Sequence, residues 1–171
     1  MKSILKGAFH MNRRVLPLLS ALLSLFIVFS CISIFSFCSE DEKYVTVSST
    51  IVEYSDGSWD QIVVTQSEPG RNRSTITGHV TTTRYSSTDE LVWRVKLTGT
   101  FTYNGVVSSC TDAYTTVTFY QSGWSVSSEQ TEHHANVASN SVVLVKKILG
   151  ITLLEMYVNQ TLTCDKDGNL S

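Results

Sequence analysis

The stretch LVWRVKLTGTFTY, residues Leu91 to Tyr103, decides the fold. Leu91, Trp93, Val95, Leu97, Gly99, Phe101 and Tyr103 alternate with Val92, Arg94, Lys96, Thr98, Thr100 and Thr102. A period of two sustained over this length is that of a β-strand with one buried and one wet face. Asn104-Gly105 follows at once, a pair that tolerates positive φ and is a strong short-range hairpin signal. The chain is therefore expected to turn back through Val106 to Cys110.

Working outward, a second long alternation lies near the carboxyl end. Leu154, Met156, Val158, Leu162 and Cys164 share one face; Glu155, Tyr157, Asn159, Thr161 and Thr163 share the other. Shorter candidates are Tyr44 to Tyr54, Trp59 to Gln66, Thr75 to Tyr85, Tyr114 to Tyr120, Trp124 to Ser128 and Val142 to Ile148, several of them separated by Asp56-Gly57, Pro69-Gly70, Ser122-Gly123 and Gly150. β-branched residues abound beyond Ser39, while Ala occurs there only at Ala113, Ala135 and Ala138, so helices should be few. Eight or nine short strands point to an all-β antiparallel sandwich, Ig-like or jelly-roll-like, or to a flattened barrel. Trp93, Trp124 and Phe101 are the expected large core residues, and Trp59 fits either core or surface.

Charge divides the chain. All 15 acidic residues lie at or beyond Glu40, and the only charged groups before it are Lys2, Lys6, Arg13 and Arg14. Nine bases against 15 acids leave the remainder at a formal charge of −6, which opposes binding to nucleic acid. Before it, Val15 to Phe37 carries no charge and follows Arg13 and Arg14 directly. Residues 1–38 thus read as a signal peptide or an amino-terminal membrane anchor in the form of a hydrophobic helix, and residues 39–171 as the β-sandwich domain. A lipoprotein acylated at Cys31 is a third reading, disfavoured by the large Phe29 and the apolar run beyond Cys31. Met11 would serve as an initiator as well as Met1. All these readings place the domain outside the cell, with membrane contact only through a retained leader.

Cys31 and Cys38 belong to the leader or its edge, which leaves Cys110 and Cys164 as the pair within the domain. In an oxidising compartment such a pair is expected to form a disulfide. Cys164 falls on the apolar face of its strand, which agrees with a buried bridge.

Candidate chemistry is sparse. Asp165-Lys166-Asp167-Gly168-Asn169 opens like a calcium loop, but the glycine comes early and only Leu170 and Ser171 follow, so a polar turn is expected. His133 and His134 are adjacent, and neighbours on a strand point to opposite faces, which denies them a shared metal ion. His79 lies on the face opposite Ile76 and Val80 and should meet solvent. There is no G-x-S-x-G elbow for a serine nucleophile. Tyr44, Tyr54, Trp59, Tyr85, Tyr114, Tyr120 and Tyr157 are candidates for sugar stacking, set against the simpler reading of cross-strand packing. Asn72-Arg73-Ser74 and Asn159-Gln160-Thr161 fit the glycosylation triplet of a eukaryotic secretory route. No catalytic, cofactor-binding or metal residue and no cofactor is assigned.

From about Leu97 onward, the pattern T-G-T-F-T-Y-N-G, Cys110, Trp124-Ser125-Val126, Lys146 to Thr152, Thr161 to Asp165 and Gly168 to Ser171 resembles an uncharacterised family of small secreted β-rich proteins of Gram-positive bacteria. The resemblance implies export and a β fold. The resulting expectation is a secreted or cell-surface, non-enzymatic binding module whose partner is cell-envelope glycan or an extracellular protein. An extracellular hydrolase with a site assembled only in space, and a secreted antagonist or toxin-like factor, are the competing readings.

Overall fold

The computed structural model of the chain describes residues 43–68 and 74–171. The expected leader, with Cys31 and Cys38, lies outside the described residues, as do the turn expected at Pro69-Gly70 and most of the Asn72 triplet. Within them the chain is all-β: β1 (Tyr44–Glu53), β2 (Trp59–Ser67), β3 (Thr75–Tyr85), β4 (Leu91–Tyr103), β5 (Ser108–Phe119), β6 (Trp124–His134), β7 (Val137–Ile148) and β8 (Ile151–Thr163). The expected return strand from Val106 and the segment Tyr114 to Tyr120 are one continuous strand, β5.

Strands β1 to β5 form one antiparallel sheet in chain order, and β6, β7 and β8 form a second. Every hydrogen-bonded neighbour is consecutive in sequence. This corrects the Ig-like or jelly-roll-like expectation, because those folds need Greek-key crossings and this chain is a meander that changes sheet once, at Tyr120–Gly123. Composition and periodicity are the same for both topologies; the short turns between successive strands favour the meander. The Asn104-Gly105 hairpin forms, but only Gly105 takes positive φ. Asn104 instead uses its side-chain oxygen to accept from the N–H groups of Val106 and Val107, closing a four-residue loop.

The strand register puts Ile76, Val80, Trp93, Val95, Leu97 and Phe101 on the inner face of the larger sheet, as the alternation of β4 predicts, and all are buried. Strand β8 packs over β3 and β4, β7 over β4 and β5, and β6 against β5. Five strands face three, so β1 lies beyond the cover of the smaller sheet and stays exposed along its whole length.

The core has two apolar halves. Ile76, Val80, Leu97, Phe101, Cys110, Ala138, Leu162, Cys164 and Leu170 make one; Val92, Trp93, Val95, Val142, Leu144 and Val158 make the other. Between them, Asn140 of β7 and Gln160 of β8 point inward as a cross-strand pair. Gln160 Nε2 donates to Thr82 Oγ1 (2.9 Å) and to the carbonyls of Val80 and Val95 (3.2 Å each), and Asn140 Nδ2 donates to Gln160 Oε1 and Thr115 Oγ1 (2.9 Å each). A buried amide costs free energy unless it is paired, so this network penalises any sliding of one sheet over the other.

The tail folds back beside β8, where Cys164 pairs with Leu170 and Thr163 exchanges backbone bonds with Ser171. Gly168, at φ 87°, makes this possible. A Cβ built there would stand 2.6–2.8 Å from ring carbons of Tyr103. Gly168→Ala is therefore expected to cost about 1–3 kcal/mol through backbone strain and overpacking. Thermal unfolding reads this directly, and an unchanged melting temperature would refute it.

Candidate functional site

The strand directions gather four connections at one end of the sandwich: Tyr54–Ser58, Ser86–Glu90, Tyr120–Gly123 and the turn Leu149-Gly150. Around the first three of these connections the alternation delivers aromatic and charged side chains. Asp60 and Arg84 face each other across β2 and β3 with both residues buried at 6% exposure. Arg84 Nε and Nη2 reach Asp60 Oδ1 (2.5 Å) and Oδ2 (3.1 Å), and Nη1 donates to Ser58 Oγ (3.0 Å). Tyr54 donates its hydroxyl to Asp60 (2.8 Å) while its ring covers the guanidinium at 4.1 Å. Desolvation, reinforced by the Asp60 carboxylate, holds the Tyr54 phenol above its ordinary pKa.

From Arg84 a line of rings and cations crosses to the second sheet. The guanidinium lies 5.5 Å from the Trp93 ring, Trp93 meets Trp124 edge-on at 6.5 Å, and Lys146 Nζ stands 5.9 Å from Trp124. Such contacts are favourable when desolvated. On the outer face, Trp59 stacks on Tyr85 at 3.9 Å and donates its indole N–H to Asp89.

Beyond Lys146 lies the hairpin that joins β7 to β8. Lys147 N bonds to the Gly123 carbonyl (2.7 Å), and Trp124 pairs with Lys146 as the first residue of β6. The pairs Lys147–Thr152 and Ile148–Ile151 therefore stand past the end of β6. Leu149 and Gly150, both at positive φ (52° and 80°), make the turn. Ile148 (53%), Leu149 (97%), Ile151 (66%), Leu153 (59%) and Leu154 (47%) are all exposed. Five large aliphatic side chains within seven consecutive residues, all meeting water, form a patch of the kind that marks a contact surface.

The residues singled out in the sequence are placed as follows. Cys110 and Cys164 lie at the opposite end, in one core cluster, as two free thiols; the bridge expected between them is not formed in this structure. Their backbone N–H groups bond to the successive carbonyls of Ala135 and Asn136, which brings the two sheets together there. Burial pushes the Cys110 thiol up; burial, followed by the Asp165 charge, pushes that of Cys164 up to about 11. Asp165 spends its carboxylate on its own turn, accepting from the N–H groups of Asp167 and Asn169 and from Asn169 Nδ2 (2.8–2.9 Å), so its pKa falls below the usual value. His133 and His134 end β6 as exposed neighbours, and no cluster of metal-ligating side chains occurs among the described residues. His79, expected in solvent, is only partly exposed because it packs on the Tyr44 ring (4.6 Å) and bonds to Thr98 (2.9 Å).

Most of the surface aromatics are packing partners. Tyr44, Tyr54, Trp59, Tyr85 and Tyr120 each have a ring or cation neighbour, Tyr120 lying 5.6 Å from Arg94. Tyr114 and Tyr157 are exposed, and Tyr157 donates to Glu155. Sequence reasoning missed the Asp60–Arg84 pair, the Asn140–Gln160 pair and the aliphatic hairpin. Only the last left a local signal, a run of aliphatic residues around a glycine where a turn should be polar. Comparison with protein-family models, with curated proteins and with solved structures returned no match for this chain.

Proposed function

We propose that the chain is an exported, non-enzymatic binding module whose contact surface is the end of the sandwich carrying the β7–β8 hairpin. One observation carries this reading: the apolar tip Ile148 to Leu154 is presented to solvent instead of being folded into the core, at a cost in exposed surface that a purely structural hairpin would avoid. The charge-free leader after Arg13 and Arg14, and the resemblance to small secreted β-rich proteins of Gram-positive bacteria, support export and a place on or outside the cell surface. In that oxidising setting the two core thiols would form the Cys110–Cys164 disulfide.

The test is a binding screen of the full chain against glycan arrays, cell-wall fragments and membrane fractions. Saturable binding to one of these is expected, falling at least about tenfold, or 1.4 kcal/mol, in the Leu149→Asp, Ile151→Asp double variant. Saturable binding to none of them, or binding indifferent to that variant, would overturn the proposal.

A further inference from the structure

We infer that the ligand of this surface is a lipid bilayer, into whose interfacial layer the tip Ile148 to Leu154 inserts; this rests on the contact surface proposed above. The first argument is shape. The ribbon passes the end of β6 at Lys146 and is tied to the neighbouring turn at Lys147, so Leu149 to Thr152 stand clear, while Ile148 borders the hollow beside that turn and Leu153 and Leu154 stay exposed at the base. From Lys147 to the apex is about 7–10 Å at strand rise. That is close to the ~5–10 Å to which interfacial elements bury their apolar side chains. A projecting finger needs a matching groove on a protein partner, whereas acyl chains conform to it.

The second argument is chemistry. Between Lys147 and Glu155 there is no charged side chain, and Thr152 is the only polar one. Exposure peaks at Leu149 (97%), the apex of the turn, which would be the residue to meet hydrocarbon most deeply. Lys146 and Lys147 sit at the base of the ribbon, where phosphate groups would lie. Glu90 lines the same hollow as both lysines and Glu155 follows Leu154 directly, opposite Val145, so the base carries no net charge and apolar insertion rather than electrostatic attraction dominates. The paired backbone of Lys147–Thr152 and Ile148–Ile151 limits the number of N–H and C=O groups carried into the interface.

A reporter at the apex tests this in the full chain, because the leader could tether the protein to lipid without the tip entering. Leu149→Trp places a fluorophore there, and the signal of Trp59, Trp93 and Trp124 is subtracted using the unsubstituted chain. With phosphatidylcholine–phosphatidylglycerol vesicles carrying brominated acyl chains, position 149 is expected to shift to the blue and to lose at least about half its emission, as an interfacial depth requires. Adding Ile151→Asp and Leu153→Asp should abolish both changes. Unquenched emission from chain that sediments with the vesicles, absence of vesicle binding, or a lipid-free homodimer cross-linking through position 149 would each overturn the lipid assignment. If the binding screen still shows a saturable, tip-dependent partner, the broader proposal stands while this one falls.

Discussion

Asp60→Ala is expected to destabilise the domain by about 3–5 kcal/mol, the cost of leaving a buried guanidinium without its counter-ion. Arg84 is enclosed by the Tyr54 and Trp93 rings, and its remaining side-chain partner would be Ser58. Against the 5–15 kcal/mol that holds a typical domain together, this is a large share. The loss belongs to the orphaned charge and not to the pair itself. Asp60→Leu combined with Arg84→Met, which fills the space with apolar atoms, should therefore lie within about 1–2 kcal/mol of the parent or exceed it in stability. Urea unfolding of the two variants gives both numbers. A single variant that loses less than about 1 kcal/mol, or a double variant as unstable as the single, would refute the account.

Oxidation of Cys110 and Cys164 is expected to add roughly 4 kcal/mol, because the bridge would close a loop of about 55 residues in the unfolded chain. The two residues are buried in one core cluster, where the oxidised pair would be shielded from water. The reduced protein should show a second signature. Its native Cys164 keeps its proton up to about 11, whereas an unfolded cysteine loses it near pH 8.5. Between those values the native state binds more protons than the unfolded one, so stability is complete below about pH 8.5 and falls as pH rises toward 11. The oxidised form, in which Cys164 is no longer a thiol, lacks that decline. Denaturation of both forms at neutral and alkaline pH decides the matter: coincident curves would show that the cysteines do not pair as proposed.

Much of the fold could be read from single strands. The alternation of β4 assigned Trp93, Val95, Leu97 and Phe101 to the core, and that of β8 assigned Val158, Leu162 and Cys164. Leu154 is the instructive departure. It continues the apolar face of β8 and yet is 47% exposed, although its partner Lys146 is still paired with Trp124 of β6. Gln160 departs in the other direction, a polar residue on the buried face whose amide is satisfied only by groups on β3, β4 and β7. Neither result follows from periodicity, which orients a side chain but does not say what lies opposite it.

What the amino-acid sequence determined alone is local: strands, because β-branched alternation suits a pleated surface; turns, because Asn, Asp and Gly accept the required backbone angles; and a charge-free segment, Val15 to Phe37, ahead of an acidic remainder. What only the tertiary structure decided is relational. The meander order, the Asp60–Arg84 and Asn140–Gln160 pairs, the approach of Cys110 to Cys164 and the projection of Ile148 to Leu154 all depend on how far each strand extends beside its neighbours. Burial and pairing energies are properties of surroundings, and residues distant in the chain become surroundings only when the two sheets close on each other.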